Sequence, residues 1–443
     1  MYPAIEVRIA RAVPIPVTGY RSRLAFSSVP AAYGRMPSPL LPTRARAAGL
    51  LGESWLAWAG LAIGVLAISA QTASSMTFSV LMKPMLAELG WARTDFTAAM
   101  TVRMLAMVLL LAYAGLLTDR IGARWVLAAG AVIIGVGSLA MARIDTLPQL
   151  YAVMAWLGPG QAAIGSVAAS ALVIRLFQRR RSLAVGILNG GDNLLNSGVY
   201  YLAAVLLSAW GWRPTIGSLG ILYLLLAGLI LWVLRPASPR RAAPGTARAA
   251  VRLRDVPWRD PRFWLVCLTY ALIYAFITSV QLHLHAFLTD LGQTPVDAAR
   301  VLSTLTLVGA LGAPLSGWLA ARAGARTTLA GVVVGLAATS VALWTANTLA
   351  AFTAWAVLYG LVNGGVVALL VLVLDEIFGA EQIGRLMGVA MVFCMLATML
   401  GNNFSAAVFE RTGSYSLAWQ TYTALMLVTL LPVARLQRVR ASV

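Results

Sequence analysis

Charge is what this chain has least of. Only 11% of its 443 residues are charged while 60% are hydrophobic, and its mean hydropathy is positive. A soluble globular chain carries about 25% charged residues, so water is excluded as the main solvent and lipid takes its place. Cysteine is almost absent. Cys267 and Cys394 fall within apolar runs, with no CxxC and no His/Cys cluster, which excludes a disulfide framework and a metal site. Two histidines and scattered acids form no Ser/His/Asp arrangement, so an enzyme is not expected. No Gly-x-x-x-x-Gly-Lys-Ser/Thr loop is present, which removes ATP as an energy source, and no cofactor is implied. Residues 1–50 lack the continuous apolar stretch of a secretory signal. With seven arginines and many prolines they read as a disordered basic tail, or as sequence ahead of a start near Met36.

What the chain has is apolar length. A membrane-crossing helix needs about 20 apolar residues. Such runs stand at 56–82, 97–117, 125–143, 149–174, 183–209 and 214–234, then at 263–288, 299–320, 328–346, 350–374, 386–408 and 417–434. The expected fold is all-α and polytopic, with twelve transmembrane helices in two six-helix bundles. The Pro-, Arg- and Ala-rich stretch at 236–262 reads as a cytoplasmic linker. It separates an N-terminal bundle at 51–235 from a C-terminal bundle at 263–443, which ends in a short basic tail. The formal charge of +19 would suggest nucleic acid in a soluble protein, but its placement decides otherwise. With both termini cytoplasmic, 27 of the 34 basic residues fall on inner segments, and the outer side holds only Lys83, Arg93, Arg143, Arg213, Arg300 and Arg411. That is the positive-inside asymmetry. It predicts a multi-pass protein of the inner membrane, with lipid and not nucleic acid around it, and monomeric.

The chain also repeats itself. Gly115-Leu116-Leu117-Thr118-Asp119-Arg120-Ile121-Gly122-Ala123-Arg124 is echoed 202 positions later by Gly317-Trp318-Leu319-Ala320-Ala321-Arg322-Ala323-Gly324-Ala325-Arg326. Phe177 through Gly186 against Phe378 through Gly388 is a second anchor, at an offset of 201 to 202. Repeats of this size mark transporter halves related by a pseudo-twofold axis. The first decapeptide resembles the signature loop between spans two and three of the major facilitator superfamily, a pattern close to Gly-x-Leu-x-Asp-Arg-x-Gly-x-Arg. Leu86 to Arg93 after span one, Gly211-Trp212-Arg213 after span five and Glu410 to Tyr415 after span eleven are similar to its bacterial monocarboxylate-porter-like and oxalate/formate-like branch. The resemblance covers about residues 55 to 435. It implies twelve helices, alternating access and transport of a small, often anionic solute. Animal-type monocarboxylate transporters use a lysine in span one and an Asp/Arg pair in span eight. Here span one offers only Gln71, Thr72, Ser74, Ser75 and Thr77 before Lys83, and span eight is uncharged between Arg300 and Arg322. That departure removes the best argument for a lactate-like substrate.

The signature loop suggests a cytoplasmic gate. Asp119 can accept hydrogen bonds from helix N-terminal amides and pair with Arg120 or Arg124, with Gly115 and Gly122 shaping the turn. Arg322 and Arg326 belong to the second copy, where Ala321 replaces the acid, so only the first half should hold the full latch. Asp375 and Glu376 are expected at the same boundary, pairing with Arg385 or Arg175. Within the spans, ionisable groups are costly and each is a site candidate. Asp192 lies roughly 15 Å into span five, and Asn189, Asp192, Asn193 and Asn196 share one helical face. That face reads as cavity lining with Asp192 as the proton carrier, or as a structural knot against span one or eight. Arg103 in span two suits a carboxylate, shared with Asn402 and Asn403 across the cavity, or else snorkels outward. His283 is preferred over His285 as a second coupling residue. Gln71, Gln161, Tyr274 and Asn363 complete a polar cavity. Gly158-Pro159-Gly160 predicts a kink in span four.

These features point to a secondary transporter of a small organic solute, a carboxylate by expectation, working by proton-coupled symport through a rocker switch. Two alternatives stay open. One is proton-driven efflux of amphipathic or cationic compounds, which the scarcity of cavity cations favours. The other is a sensor without turnover, which the intact Asp119 motif disfavours.

Overall fold

The computed structural model describes residues 55–177, 181–235, 256–379 and 383–438. The expected tail at 1–50 and the 236–255 part of the linker lie outside these, as do the side chains of Asp119, Asn189 and Arg385. The first half runs through α1 (Trp55–Leu89), α2 (Arg93–Ile121), α3 (Ala123–Met141), α4 (Leu147–Ile164), α5 (Ser166–Leu176), α6 (Arg181–Trp210) and α7 (Trp212–Val233). The second runs through α8 (Pro261–Asp290), α9 (Pro295–Ala323), α10 (Ala325–Thr345), α11 (Leu349–Asn363), α12 (Val366–Phe378), α13 (Ile383–Thr412) and α14 (Ser416–Arg438). Taking α4–α5 and α11–α12 as one span each, eleven are long and apolar enough to cross a membrane. The twelfth helix, α6, matches them in length at 30 residues but carries Asp192, Asn193 and Asn196.

Local signals explain where the helices begin and turn. Thr146 and Gln149 form a capping box at α4, and the hydroxyls of Thr294 and Thr348 accept from the backbone N–H of Asp297 and Ala351 at the starts of α9 and α11, satisfying donors that the first helical turn leaves free. Asp260 caps α8, accepting from the Arg262 amide at 2.8 Å, and the Arg262 side chain holds its carboxyl below the usual range. Gly122 and Gly324, the repeated glycines of the signature loop, have φ of +93° and +86°. That left-handed region is open to glycine and costly for other residues, so the turn itself demands the motif's residue.

Packing repeats with the same period. A Cβ on Gly158 of α4 would lie 2.5 Å from the Arg103 carbonyl oxygen and 2.8 Å from the Met107 amide, both on α2. A Cβ on Gly360 of α11 would lie 2.6 Å from the Leu305 oxygen and 3.2 Å from the Gly309 amide, both on α9. All three pairs are 202 positions apart, so one close helix crossing is built twice, with small residues letting the backbones touch. Helix α4 continues through Pro159, whose flanking glycines lie against α2 and α3. The span is interrupted further on at Gly165, where the backbone turns extended (φ −73°, ψ −172°). Span ten breaks in the matching region, at Gly364 and Gly365 between α11 and α12.

Two ends of the bundle can be told apart. At the linker end α7 finishes and α8 begins. At the far end α1 passes to α2 through Gly90 and α8 to α9 through Gly292.

Candidate functional site

Arg103 turns inward. Its side chain, on α2, is 6% exposed, donates a long hydrogen bond of 3.4 Å to the Ser74 carbonyl oxygen, and lies 5.1 Å from the Phe78 ring centroid. It does not snorkel to the lipid surface, because α1 and α4 close over it. Gln161 of α4, also buried, donates to the hydroxyls of Ser74 at 2.7 Å and Ser75 at 3.0 Å. Gln71 stands one turn away, its amide oxygen against the Gly165 break. Helices α1, α2 and α4 thus gather Gln71, Ser74, Ser75, Arg103 and Gln161 at one level of the first half.

Asp192 of α6 faces α1. Its carboxylate accepts from the Asn196 amide at 2.5 Å and from the Thr72 hydroxyl at 3.5 Å. Asn196 is fully buried and Asp192 and Asn193 are partly so, while Leu194 and Leu195 are exposed on the other side of the helix. The polar face therefore turns into the bundle as its spacing requires. Among the described residues Asp192 is the one acid, and Arg103 the one base, well inside a span.

The second half is different in kind. Tyr274 and Asn363 are partly buried, and Oδ1 of Asn363 and of Asn402 are buried without hydrogen-bond partners. Arg103 and Asn402 are not brought together. Across the α2–α13 contact it is Asn403 that reaches the first half, donating to Thr101 at 2.8 Å and accepting from Thr97 at 3.1 Å. His283 is corrected as well. It is 0% exposed, with Nδ1 3.0 Å from the Tyr415 hydroxyl and Nε2 3.1 Å from the Asn402 carbonyl oxygen. Both nitrogens are engaged inside the second half at its far end, where the ring links α8 to Asn402 of α13 and to Tyr415. His285 is likewise buried, with Nε2 3.1 Å from the Pro295 oxygen.

At the linker end the gate arginines work within their own halves. Arg124 donates to the Leu231 carbonyl oxygen at 2.8 Å and stacks near Trp125. Its repeat Arg326 donates to the Leu436 oxygen at 3.0 Å and pairs with Glu376 at 2.6 Å. Glu376 also accepts from the backbone amides of Ala325 and Arg326. The second half therefore has an acid–arginine pair at this turn, its carboxylate supplied by the end of α12, where the repeat itself has Ala321. Of the arginines expected at this boundary, Arg385 has its side chain outside the described residues, and the pair seen for Glu376 is with Arg326. Arg120 is exposed, Arg322 lies 4.1 Å over the Trp318 ring, and Gly115 packs near Val167 of α5.

The network that joins the halves is at the opposite end. Arg93 donates to Asp290 at 2.8 Å and to the Tyr415 hydroxyl at 2.6 Å, and stands 3.5 Å over the Phe409 ring. Lys83 shares Asp290 at 2.7 Å. Thr94 donates twice to Glu410 Oε1, from its amide at 2.7 Å and its hydroxyl at 2.8 Å, and Ser79 donates to the Leu282 oxygen at 2.8 Å. These bonds between halves, with those of Asn403, belong to the far-end parts of α1, α2, α8 and α13 and to Tyr415 in the turn after α13. Sequence reasoning missed this closure, although Arg93, Glu410 and Tyr415 sit in the stretches similar to the monocarboxylate-porter-like branch.

Comparison with known proteins agrees with this architecture. The family model described as Major Facilitator Superfamily matches residues 61–434. Monocarboxylate transporter 13 of Bos taurus is 29% identical, covering 70% of this chain and 73% of its own. Monocarboxylate transporter 11 of Mus musculus is 30% identical, covering 70% and 72%. A solved bacterial homologue of the human lysosomal transporter Spinster, in an inward-facing and occupied conformation, superposes with a TM-score of 0.72 at 14% identity, over 85% of this chain and 96% of that one.

Proposed function

Because this chain belongs to the Major Facilitator Superfamily, a multi-pass membrane transporter of small molecules, we propose that it moves a carboxylate-bearing solute by proton-coupled symport. One observation carries the carboxylate. Arg103 is a cation inside the membrane with a single long hydrogen bond to the protein and no carboxylate within ion-pair reach among the described residues. A buried charge without a counter-charge is expensive, and a planar fork held ready is suited to a carboxylate. The names of the monocarboxylate transporters that the chain is similar to favour the same reading.

Asp192 is the proton carrier of this scheme. It is the one mid-span acid described, and it leans on Thr72 of α1 through a 3.5 Å hydrogen bond that protonation of the carboxylate would alter. Gln71, Gln161, Asn189, Asn193, Tyr274, Asn363 and Asn402 are the proposed lining of the path. The halves rock about this level, with the far-end network made in one state and broken in the other, while Arg124 and Arg326 keep each half intact at the linker end. The positive-inside distribution supports a bacterial inner-membrane location with both termini cytoplasmic, which makes the far end periplasmic and the described state inward-facing. One chain, holding both halves, is the working unit.

Uptake of labelled carboxylates into proteoliposomes, with and without an imposed pH gradient, tests the scheme. Accumulation driven by inward-directed protons and abolished by Arg103→Ala is expected. Proton-driven extrusion of lipophilic cations, with carboxylates inert, would replace symport by efflux.

A further inference from the structure

The face between α1 and α6 holds more oxygen than its hydrogen bonds use. Asn196, one turn beyond Asp192 on α6, and Ser69 and Thr72, one turn apart on α1, converge on the Asp192 carboxylate. Thr72 has one hydroxyl hydrogen but two acceptors, the Ile68 carbonyl oxygen at 3.3 Å and Asp192 Oδ2 at 3.5 Å, so one contact lacks a proton. Both are long for an O–H···O bond, which usually spans about 2.5–3.0 Å. Ser69, 6% exposed, faces the same carboxylate, yet its Oγ is buried and completes no hydrogen bond. Asn196, 1% exposed, gives its Nδ2 to Asp192 and leaves Oδ1 buried and unpartnered. Buried polar atoms are almost always satisfied, and two orphaned oxygens beside one carboxylate point to a bound species that accepts from oxygen only.

The spacing is that of a small cation's shell. Sodium is nearly the size of calcium, whose oxygen ligands stand at about 2.3–2.6 Å, and neighbouring ligands of an octahedral shell are then roughly 3.3–3.7 Å apart. The two Thr72 contacts, at 3.3 and 3.5 Å, fall in that window. A carboxylate, a carboxamide oxygen, two hydroxyls and a backbone carbonyl are the donors that a hard ion takes. Charge selects a monovalent one. Asp192 brings a single negative charge, and among the described residues no three His, Cys, Asp or Glu side chains gather, so a divalent ion would leave a net positive charge buried in the bundle. We propose that Asp192, Asn196, Ser69, Thr72 and the Ile68 carbonyl oxygen form a sodium site between α1 and α6, with the Asn196 carboxamide turned so that Oδ1 meets the ion. The site belongs to the first half alone, since Cys394 stands 202 positions after Asp192. Sodium and the proton are alternative occupants of one carboxylate, and a sodium gradient can drive uptake in place of a pH gradient. Thr72 is two residues from Ser74, which meets both Arg103 and Gln161, so ion and solute act on the same helix. The inference rests on the reading of Asp192 as the coupling group and is independent of the solute.

The test is heat stabilisation of the purified, solute-free, full-length protein in sodium, potassium and choline chloride at equal ionic strength, which separates a site from general screening. Sodium alone is expected to raise the melting temperature, and to do so saturably. Asp192→Asn should abolish the rise, and Ser69→Ala should weaken the apparent sodium affinity by about tenfold, the scale of one contact to a charged group. In choline, Ser69→Ala should melt no lower than wild type, since the hydroxyl has no protein partner to lose. A lower melting temperature there would overturn the site. Equal melting in sodium and potassium, or a sodium rise that survives Asp192→Asn, would also overturn it. Uptake of labelled carboxylates into proteoliposomes tells this failure from failure of the proton reading. No sodium effect on melting, with a pH gradient driving accumulation in choline, ends the sodium site and keeps the proton carrier. A sodium gradient that drives accumulation where a pH gradient does not keeps the site and removes proton coupling.

Discussion

Arg103 and Asp192 carry the argument at the scale of single residues because each is a charge that lipid would not tolerate and that the protein only partly answers. Truncating one member of a buried, hydrogen-bonded charge pair costs about 2–5 kcal/mol, so Arg103→Ala should weaken carboxylate binding by at least about 30-fold. Arg103→Lys, which keeps the charge but loses the fork, should recover part of it. Retained binding in the alanine variant would assign the arginine to packing over Phe78 instead. Asp192→Asn preserves the hydrogen bonds to Asn196 and Thr72 in shape but cannot take up a proton. Exchange without net proton movement should survive in that variant, while accumulation driven by a pH gradient and the pH dependence of uptake should disappear. An unchanged pH profile would make the Asp192 face a structural knot between α6 and α1.

At the scale of elements, the doubled crossing of α2 with α4 and of α9 with α11 makes a prediction that neither half makes alone. A methyl group at Gly158 or Gly360 would collide with backbone atoms at 2.5–2.6 Å, which cannot yield as a flexible side chain can. Overpacking of this kind costs about 1–3 kcal/mol. Gly158→Ala and Gly360→Ala should lower the melting temperature by similar amounts, whereas Gly217→Ala, whose added methyl would meet only the Ala142 Cβ at 3.7 Å, should not. Unequal effects would show that the two halves do not share the crossing. The repeat is used unequally at the far end. Glu88 of α1 ties its own half together, accepting from Trp212 at 2.6 Å and Arg213 at 2.8 Å. Asp290, 202 positions later, instead reaches across to Lys83 and Arg93.

For the whole molecule, the far-end closure has to break for the opposite state to form. Asp290 accepts two cations from the other half, so Asp290→Asn removes both ion pairs while keeping the side chain's size. The expected outcome is a shift toward the state open at the far end. It would be read as faster labelling by an impermeant maleimide of a cysteine placed at Ser79, whose hydroxyl is buried against Leu282 in the closed arrangement. A two-state equilibrium shifts by only the differential energy applied to it, and partly exposed ion pairs are each worth about 1 kcal/mol or less. A several-fold change in labelling rate is therefore the scale to expect, and no change would place the closure in apolar contacts instead.

The twelve helical passes, the two halves and the signature turns were legible from composition and period, because lipid leaves a backbone few alternatives to the helix and a positive-φ turn admits little besides glycine. The inward face of α6 was legible too, since helical spacing alone groups Asn193 and Asn196 with Asp192. Partnerships across long separations were not. The sequence marks Glu376 only as an acid near a boundary, and Arg93 and Tyr415 only as familiar positions, since nothing in local order says which helix packs against which. His283 looked like a switch because its type titrates near neutrality. Only the packing of α8 on α13 supplies the two partners that occupy it. The break at Gly165, the partner of Arg326 and the orphaned atoms of Ser69 and Asn196 were likewise decided in three dimensions. Each depends on what a neighbouring helix presents at that depth, and helix pairing is a property of the assembled bundle.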